Sequence, residues 1–362
     1  MAAPDLSDTK RAKGPKILLL AGISAFALLI GLGAGVSFLG NPEAGEPVAS
    51  LDLPIAAQNH AAAGTTVHTP APQPQIVAEE APAAPPPGPI TQPVYAGRAL
   101  VADPALIENT SAGPLPRIAD DGRRPLRVYA SANPGAGKPR IAIVISGLGS
   151  SEKATAAALA GLPPQVTLGF APYAADVQRM ASEARKSGHE TLVELPMEPF
   201  DYPDSDPGPN TLRSGIGESD NTQRLAWALS RFTGYVGVTN QGSGGRFLSD
   251  NNSLAPVMTY VTRRGLMFFD NGSTPQSVAS VTAPQVGAAF AQASGTIDSI
   301  QAAAEIDRRL SDLETQARAN GSAIGAGYLY PVTIDRVSQW AKGLSGRGFV
   351  LVPVSAIIDE QK

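Results

Sequence analysis

The run Ile141-Ala142-Ile143-Val144-Ile145, entered from Arg140 and bounded by Lys138-Pro139 and Gly147, is continuously apolar and rich in β-branched side chains. A strand without in-and-out alternation must be covered on both faces, as in a parallel sheet with helices packed outside it. Helical and strand patterns alternate after it. Helices are expected at residues 150–161, 175–187, 221–232, 254–264, 297–320 and 332–344. Strands are expected at 166–170, 191–195, 235–238, 266–269, 286–290, 323–327 and 349–352. About eight strands in about 220 residues favour a complete or open β/α barrel over a short doubly wound sheet. Barrel chemistry belongs at the C-terminal strand ends, after Ile145, Phe170, Leu195, Val238, Phe269 and Gly327.

The chain before this region is of another kind. Residues 17–39 carry no charge, and a helix of that length reaches roughly 35 Å, enough to cross a bilayer core. Lys10, Arg11, Lys13 and Lys16 precede the stretch, whereas Glu43, Glu46 and Asp52 follow it. The positive-inside rule therefore places residues 1–16 in the cytoplasm and exports the rest, giving a single-pass inner-membrane protein with a periplasmic domain. An apolar stretch this long, with no clear Ala-x-Ala site after it, favours an uncleaved anchor over a removable signal peptide. Residues 41–97 contain no Lys or Arg, and Ala81 to Pro89 favours polyproline II. Residues 40–137 are expected to be a disordered Pro/Ala-rich linker with an r.m.s. span of roughly 55 Å, and residues 138–362 to form the domain. Leu126-Arg127-Val128-Tyr129 reads as a short strand-like lead-in.

The chain has no cysteine, which excludes disulfides, thiolate metal sites and Cys nucleophiles. Its net charge is −4, and no dense basic stripe marks the domain, which argues against nucleic acid as a partner.

The strand ends carry Ser146-Gly147-Leu148-Gly149, Ala171-Pro172-Tyr173, Glu194-Leu195-Pro196-Met197-Glu198-Pro199 and Asp206-Pro207-Gly208-Pro209. Further along come Asn240-Gln241-Gly242-Ser243, Phe268-Phe269-Asp270 and Ala326-Gly327-Tyr328-Leu329-Tyr330-Pro331, with Val350 to Ser355 near the terminus. This series resembles the divergent polysaccharide deacetylases over about residues 141–355. The resemblance implies a distorted β/α barrel and a metal site built from an Asp-Asp pair before Leu-Gly and a His in Asn-His-x-Gly-Ser. It also implies an Asp after the Phe-rich strand and a Gly-His near the last strands. Such a metal lowers the pKa of a bound water so that it attacks an acetyl carbonyl. Here Ser146 and Gly147 stand in place of the Asp pair, Gln241 and Tyr328 in place of the two histidines, and Ala293-Ser294 in place of an Arg-Asp, while Asp298 fits the family's terminal Asp. Of three histidines only His189 lies in the domain, so no site with two imidazoles can be built there. An all-oxygen site for Mg²⁺ or Ca²⁺ from Glu194, Glu198, Asp270 and Asp298 is the one route left to a bound metal. No cofactor is otherwise expected.

Individual residues carry open readings. His189 follows a helix-ending Gly and suits a histidine satisfied by backbone. Glu194 interrupts an apolar strand and is either paired with a buried arginine or in contact with a ligand. Asp270 either forms an Asx turn or contacts a sugar or metal. Asn240, Gln241 and Ser243 offer amides and a hydroxyl to a hydroxyl-rich ligand. Tyr173, Tyr328 and Tyr330 either stack on sugar rings or pack internally. Glu194, Asp270 and Asp298 are the candidate catalytic residues; Asn240, Gln241, Ser243, Tyr328, Tyr173 and Glu198 are the candidate ligand contacts. Two functions follow: a non-catalytic module binding an envelope glycan or envelope protein, or a carbohydrate deacetylase with an altered carboxylate site.

Overall fold

The computed structural model describes residues 102–134, 138–242 and 244–358. The tail 1–16, the span 17–39, the linker up to residue 101 and Ser243 lie outside the described residues. Among the described residues no helix is long and apolar enough to cross a membrane.

The ordered region begins well before residue 138, which corrects the linker boundary. Strands β1 (Ile107–Thr110) and β2 (Gly113–Pro116) form an antiparallel hairpin. An ion pair from Arg264 to Glu108 and a bond from Arg264 Nη1 to the Pro116 carbonyl (3.1 Å) tie the hairpin to the domain. The expected strand-like piece is instead the short helix α1 (Pro125–Val128). Pro125 occupies its first turn, where the missing N–H costs nothing and the fixed φ suits a helix.

The body follows in order: β3 (Arg140–Leu148), α2 (Glu152–Gly161), β4 (Thr167–Phe170), α3 (Val177–Lys186), β5 (Thr191–Pro196), α4 (Glu218–Leu229) and β6 (Gly237–Gln241). It continues with α5 (Gly245–Leu248), α6 (Asn251–Arg263), β7 (Met267–Asp270), α7 (Ala279–Gln285), β8 (Ala289–Gln292), α8 (Ala303–Asn320), β9 (Ser322–Tyr328), α9 (Pro331–Leu344), β10 (Val350–Leu351) and α10 (Val354–Ile358). Strands β9-β3-β4-β5-β6-β7-β8 are consecutive parallel neighbours. The ring closes through the segment after β8: Ser294 N–H donates to the Ile324 carbonyl (3.3 Å) and Ile297 N–H to that of Ala326 (2.7 Å). This closure explains why α8 starts at Ala303 rather than at residue 297, because residues 294–297 are spent on pairing with β9. The short β10 adds to the first residues of β3.

Period-two alternation sorts the core. Ile141, Ile143 and Ile145 pack outward in one cluster with helix residues such as Ala158, Leu225, Leu254, Leu310 and Val337. Ala142 and Val144 face inward in a second cluster with Leu192, Met267, Phe269, Ala291, Ile324 and Ala326. Phe268 and Phe269 are both fully buried on opposite faces of β7, and each such side chain contributes about 2–3 kcal/mol of transfer free energy. All five residues of α10 are buried, and Val354, Ala356, Ile357 and Ile358 belong to the inner cluster. Glu190 secures α10: its carboxylate accepts from the Ser355 hydroxyl, from Ser355 N–H (3.2 Å) and from the Thr167 hydroxyl (3.2 Å). The N-terminal end of the barrel is thereby filled, and the C-terminal end is left for function.

Candidate functional site at the C-terminal barrel mouth

The same alternation carries polar residues inward at the C-terminal ends. Ser146 on β3 is in register with Tyr328 on β9, Glu194 on β5 with Thr239 on β6, and Pro196 with Gln241. Gly169 on β4 has no side chain, and a Cβ there would lie 3.0 Å from Ser146 Oγ and 3.1 Å from Glu194 Oε1. An uncharged polar layer thus surrounds one carboxyl group.

Glu194 is 2 % exposed, and its Oε1 accepts from Gly147 N–H. Among the described residues it has no arginine or lysine partner, which corrects the expected buried ion pair. Desolvation pushes the carboxyl up to about 8, against the smaller opposing pull of the Gly147 bond. Tyr328 is pushed up to about 12, first by burial and then by the charges of Glu194 and Asp298.

Asn240 belongs to a closed amide network with Asn271, a residue the sequence reading missed. Asn240 Nδ2 donates to Asn271 Oδ1 (2.8 Å) and to the Gly242 carbonyl (3.0 Å), while Asn271 N–H donates to Asn240 Oδ1 (3.0 Å). Asn271 Nδ2 reaches the Gly242 carbonyl (3.0 Å) and the Tyr328 hydroxyl (3.4 Å), and the Ser273 hydroxyl closes on Asn271 Oδ1 (2.6 Å). The network sets the loops after β6 and β7 against each other. The Asn-Gly-Ser sequence after Asp270 was its only signal. Thr239, also missed, was findable as the inward neighbour two residues before Gln241.

The remaining carboxylates are engaged separately. Asp270 forms the Asx turn, accepting from Gly272 N–H (2.9 Å), and its other oxygen takes the Ser277 hydroxyl (2.6 Å) and the Gln292 amide (2.9 Å). Asp298 Oδ2 accepts from Tyr328 N–H (2.7 Å) and the Thr333 hydroxyl (2.8 Å), joining β9 to α9; burial raises its pKa. Glu198 accepts from Ser214 N–H (2.7 Å) and lies 3.8 Å from Arg246. Tyr173 is spent on a neighbouring loop: its hydroxyl accepts from Asn210 N–H (2.8 Å), and its ring lies 4.6 Å from that of Trp227. Tyr330 lies beside Tyr328, with ring centroids 6.1 Å apart. His189 donates from Nδ1 to the Val166 carbonyl (2.9 Å) near the strand starts, remote from the mouth, and burial lowers its pKa.

The structure therefore brings together Glu194, Tyr328 and the Asn240 network, and leaves Glu198, Asp270 and Tyr173 apart. Among the described residues no three His, Asp or Glu side chains are placed to share a metal ion. At the positions of the family's Asp pair and two histidines stand a serine, a glycine, a glutamine and a tyrosine, and the two matching carboxylates that remain, Asp270 and Asp298, are committed to Ser277 and Gln292 and to Tyr328 and Thr333. Zinc binds thiolate, imidazole or carboxylate, so this set does not fit it, and the amide of Gly147 is already given to Glu194.

The family model described as divergent polysaccharide deacetylase matches residues 143–358. The chain is 28% identical over 221 residues to the uncharacterised protein YibQ of Escherichia coli (strain K12), covering 61% of this chain and 68% of that one. It is 26% identical over 195 residues to an uncharacterised protein of Haemophilus influenzae, covering 54% and 68%. A crystal structure of an uncharacterised protein from Agrobacterium tumefaciens C58 superimposes with a TM-score of 0.66 at 42% identity, covering 68% of this chain and 99% of that one. With its barrel, its strand-end motifs and this match, the chain belongs to the divergent polysaccharide deacetylase family.

Proposed function

We propose that this protein is a membrane-anchored periplasmic module that keeps the deacetylase barrel as a scaffold for binding an envelope glycan or envelope protein, without the family's metal-dependent hydrolysis. One observation carries this reading: the four carboxylates from which an all-oxygen metal site would be made are each engaged by different partners instead of converging. What remains at the mouth is a preorganised set of hydroxyl and amide groups, the chemistry that reads hydroxyl-rich ligands.

The test pairs two assays on the full-length chain in membranes: co-sedimentation with purified cell-wall glycan, and acetyl release from N-acetylated oligosaccharides. Saturable sedimentation without acetyl release is expected. Acetyl release above the uncatalysed rate would overturn the reading. A hydrolase relying on Glu194 is the second reading, favoured by the elevated pKa of that carboxyl, which suits acid–base work near neutrality. Loss of any acetyl release in Glu194→Gln would establish it.

A further inference from the structure

We propose that the N-terminal end of the barrel, opposite the mouth, is a docking surface for an anionic phospholipid bilayer. The inference rests on the membrane-anchored part of the reading above and adds an orientation to it, with the mouth turned away from the membrane.

Two grooves flank the plug helix α10 at that end. The first, of about 430 Å³, runs from the starts of β7 and β8 to Ile358. Leu266, Ala288 and Phe290 form its apolar floor, with exposed Arg124 and half-buried Arg127 at its rim. The second, of about 650 Å³, lies between the end of α9, residues 161–165 and β10. Its floor is the buried Leu162 and Phe349, and exposed Lys138 and Lys342 stand at its rim. Helix α10 spans the gap: Ile358 borders the first groove, and Val354 N–H donates to the Thr167 hydroxyl (3.0 Å) at the start of β4, beside the second.

Among the described residues no Asp or Glu lines either groove. The preference of cations for helix C-termini accounts for Arg127 and Lys342, which sit in the last turns of α1 and α9. It does not account for Arg124 and Lys138, which lie outside helices, nor for floors without a single acid. The opposite end has the reverse charge: Asp201, Asp204, Asp206, Glu218 and Asp220, between β5 and the first turn of α4, are all exposed.

An acidic polymer would use the four cations and leave the apolar floors in water. A phospholipid supplies an anionic head and acyl carbon together, and each Lys or Arg held near an anionic surface strengthens binding about fivefold. The chain also enters the barrel at this end, where Asp103 N–H donates to the Tyr129 hydroxyl (2.9 Å) and Tyr129 shares the inner cluster with α10. The linker expected before residue 102 has an r.m.s. reach of roughly 45 Å, which keeps an anchoring bilayer within range at an effective concentration on the order of millimolar.

The full-length chain reconstituted in vesicles tests this. Energy transfer from Trp227 and Trp340 to dansyl-phosphatidylethanolamine reports how close the barrel sits to the bilayer, and Trp340 lies on α9 two residues from Lys342. Phosphatidylcholine with about 30 mol % phosphatidylglycerol should give at least about twofold more transfer than phosphatidylcholine alone at about 50 mM salt, and the difference should vanish at about 500 mM, where screening is short-ranged. Arg124→Glu and Lys138→Glu/Lys342→Glu, all at exposed positions, should melt like wild type and each weaken docking at least about fivefold. Lys153→Glu, exposed at the mouth end, should leave docking unchanged. Equal transfer in both vesicle types, or undiminished transfer in the rim variants, would overturn the inference and leave the grooves to another occupant such as an envelope protein. Alkaline extraction separates this from the anchored reading. A chain retained by the vesicles without phosphatidylglycerol-dependent transfer is anchored and undocked, which sinks the docking surface alone. A chain that is extracted, yet binds phosphatidylglycerol vesicles at neutral pH in a salt-sensitive way, keeps the docking surface and sinks the anchor.

Discussion

Replacing Glu194 by glutamine should make the barrel more stable, and increasingly so as pH rises. The carboxyl ionises near 4.5 when unperturbed and near 8 in the folded barrel. A group whose folded pKa is raised contributes its stability fully below the unfolded value, and that contribution is lost as pH rises through the folded value. Between those limits the loss is about 1.4 kcal/mol per pH unit, hence about 3 kcal/mol by pH 7 and about 4 kcal/mol by pH 8, where the folded carboxyl is half ionised. Glutamine is neutral throughout, and its carbonyl can still accept from Gly147 N–H. Urea denaturation of wild type and Glu194→Gln at pH 5, 6, 7 and 8 checks this, and taking the difference cancels other titrating groups such as Glu190. Both tryptophans of the chain, Trp227 and Trp340, lie on helices of the barrel, so intrinsic fluorescence follows this domain in the full-length protein. A stability difference that stays flat from pH 5 to 8 would refute the assignment of Glu194 as an uncompensated buried acid.

Two further substitutions probe the supports of the site. Asp270→Ala leaves Gly272 N–H, the Ser277 hydroxyl and the Gln292 amide without their acceptor at a fully buried position; a cost of about 3 kcal/mol and a melting temperature lower by about 6–12 °C are expected. Ser355→Ala removes the hydroxyl that bonds to Glu190 and should cost about 1–3 kcal/mol. Faster amide hydrogen exchange across residues 354–358 should accompany it, and unchanged exchange would show that the Ser355 hydroxyl does not help to hold α10.

The barrel was legible where the signal is local and apolar. Ile141 to Ile145 could only be a strand covered on both faces, and Leu266 to Asp270 likewise announced a strand with a polar residue at its end. The hairpin was hidden because Gly113-Pro114-Leu115-Pro116 has the composition of a linker, and its order comes from distant partners such as Arg264. The lead-in helix was misread because its apolar residues, Leu126 and Val128, alternate as in a strand, while Pro125 fixes the helical start. Asp298 showed only as a family position; its bonds to Tyr328 and Thr333 depend on how residues 294–297 close the ring. At the mouth, the missing family ligands could be read directly from Ser146, Gly147, Gln241 and Tyr328. The absence of an arginine for Glu194 was not readable, because a buried carboxyl gives no indication in sequence of which backbone N–H will satisfy it.

The central claim is that this barrel keeps the family scaffold without the family metal. The most direct test is the metal content of the purified full-length chain by mass spectrometry, with its melting temperature after chelation and re-addition of Zn²⁺, Mg²⁺, Mn²⁺ and Ca²⁺. The account expects no stoichiometric metal and a melting temperature indifferent to all four ions. One equivalent of retained metal, with a rise of about 5 °C or more when that ion is restored at about a hundred times its Kd, would contradict it.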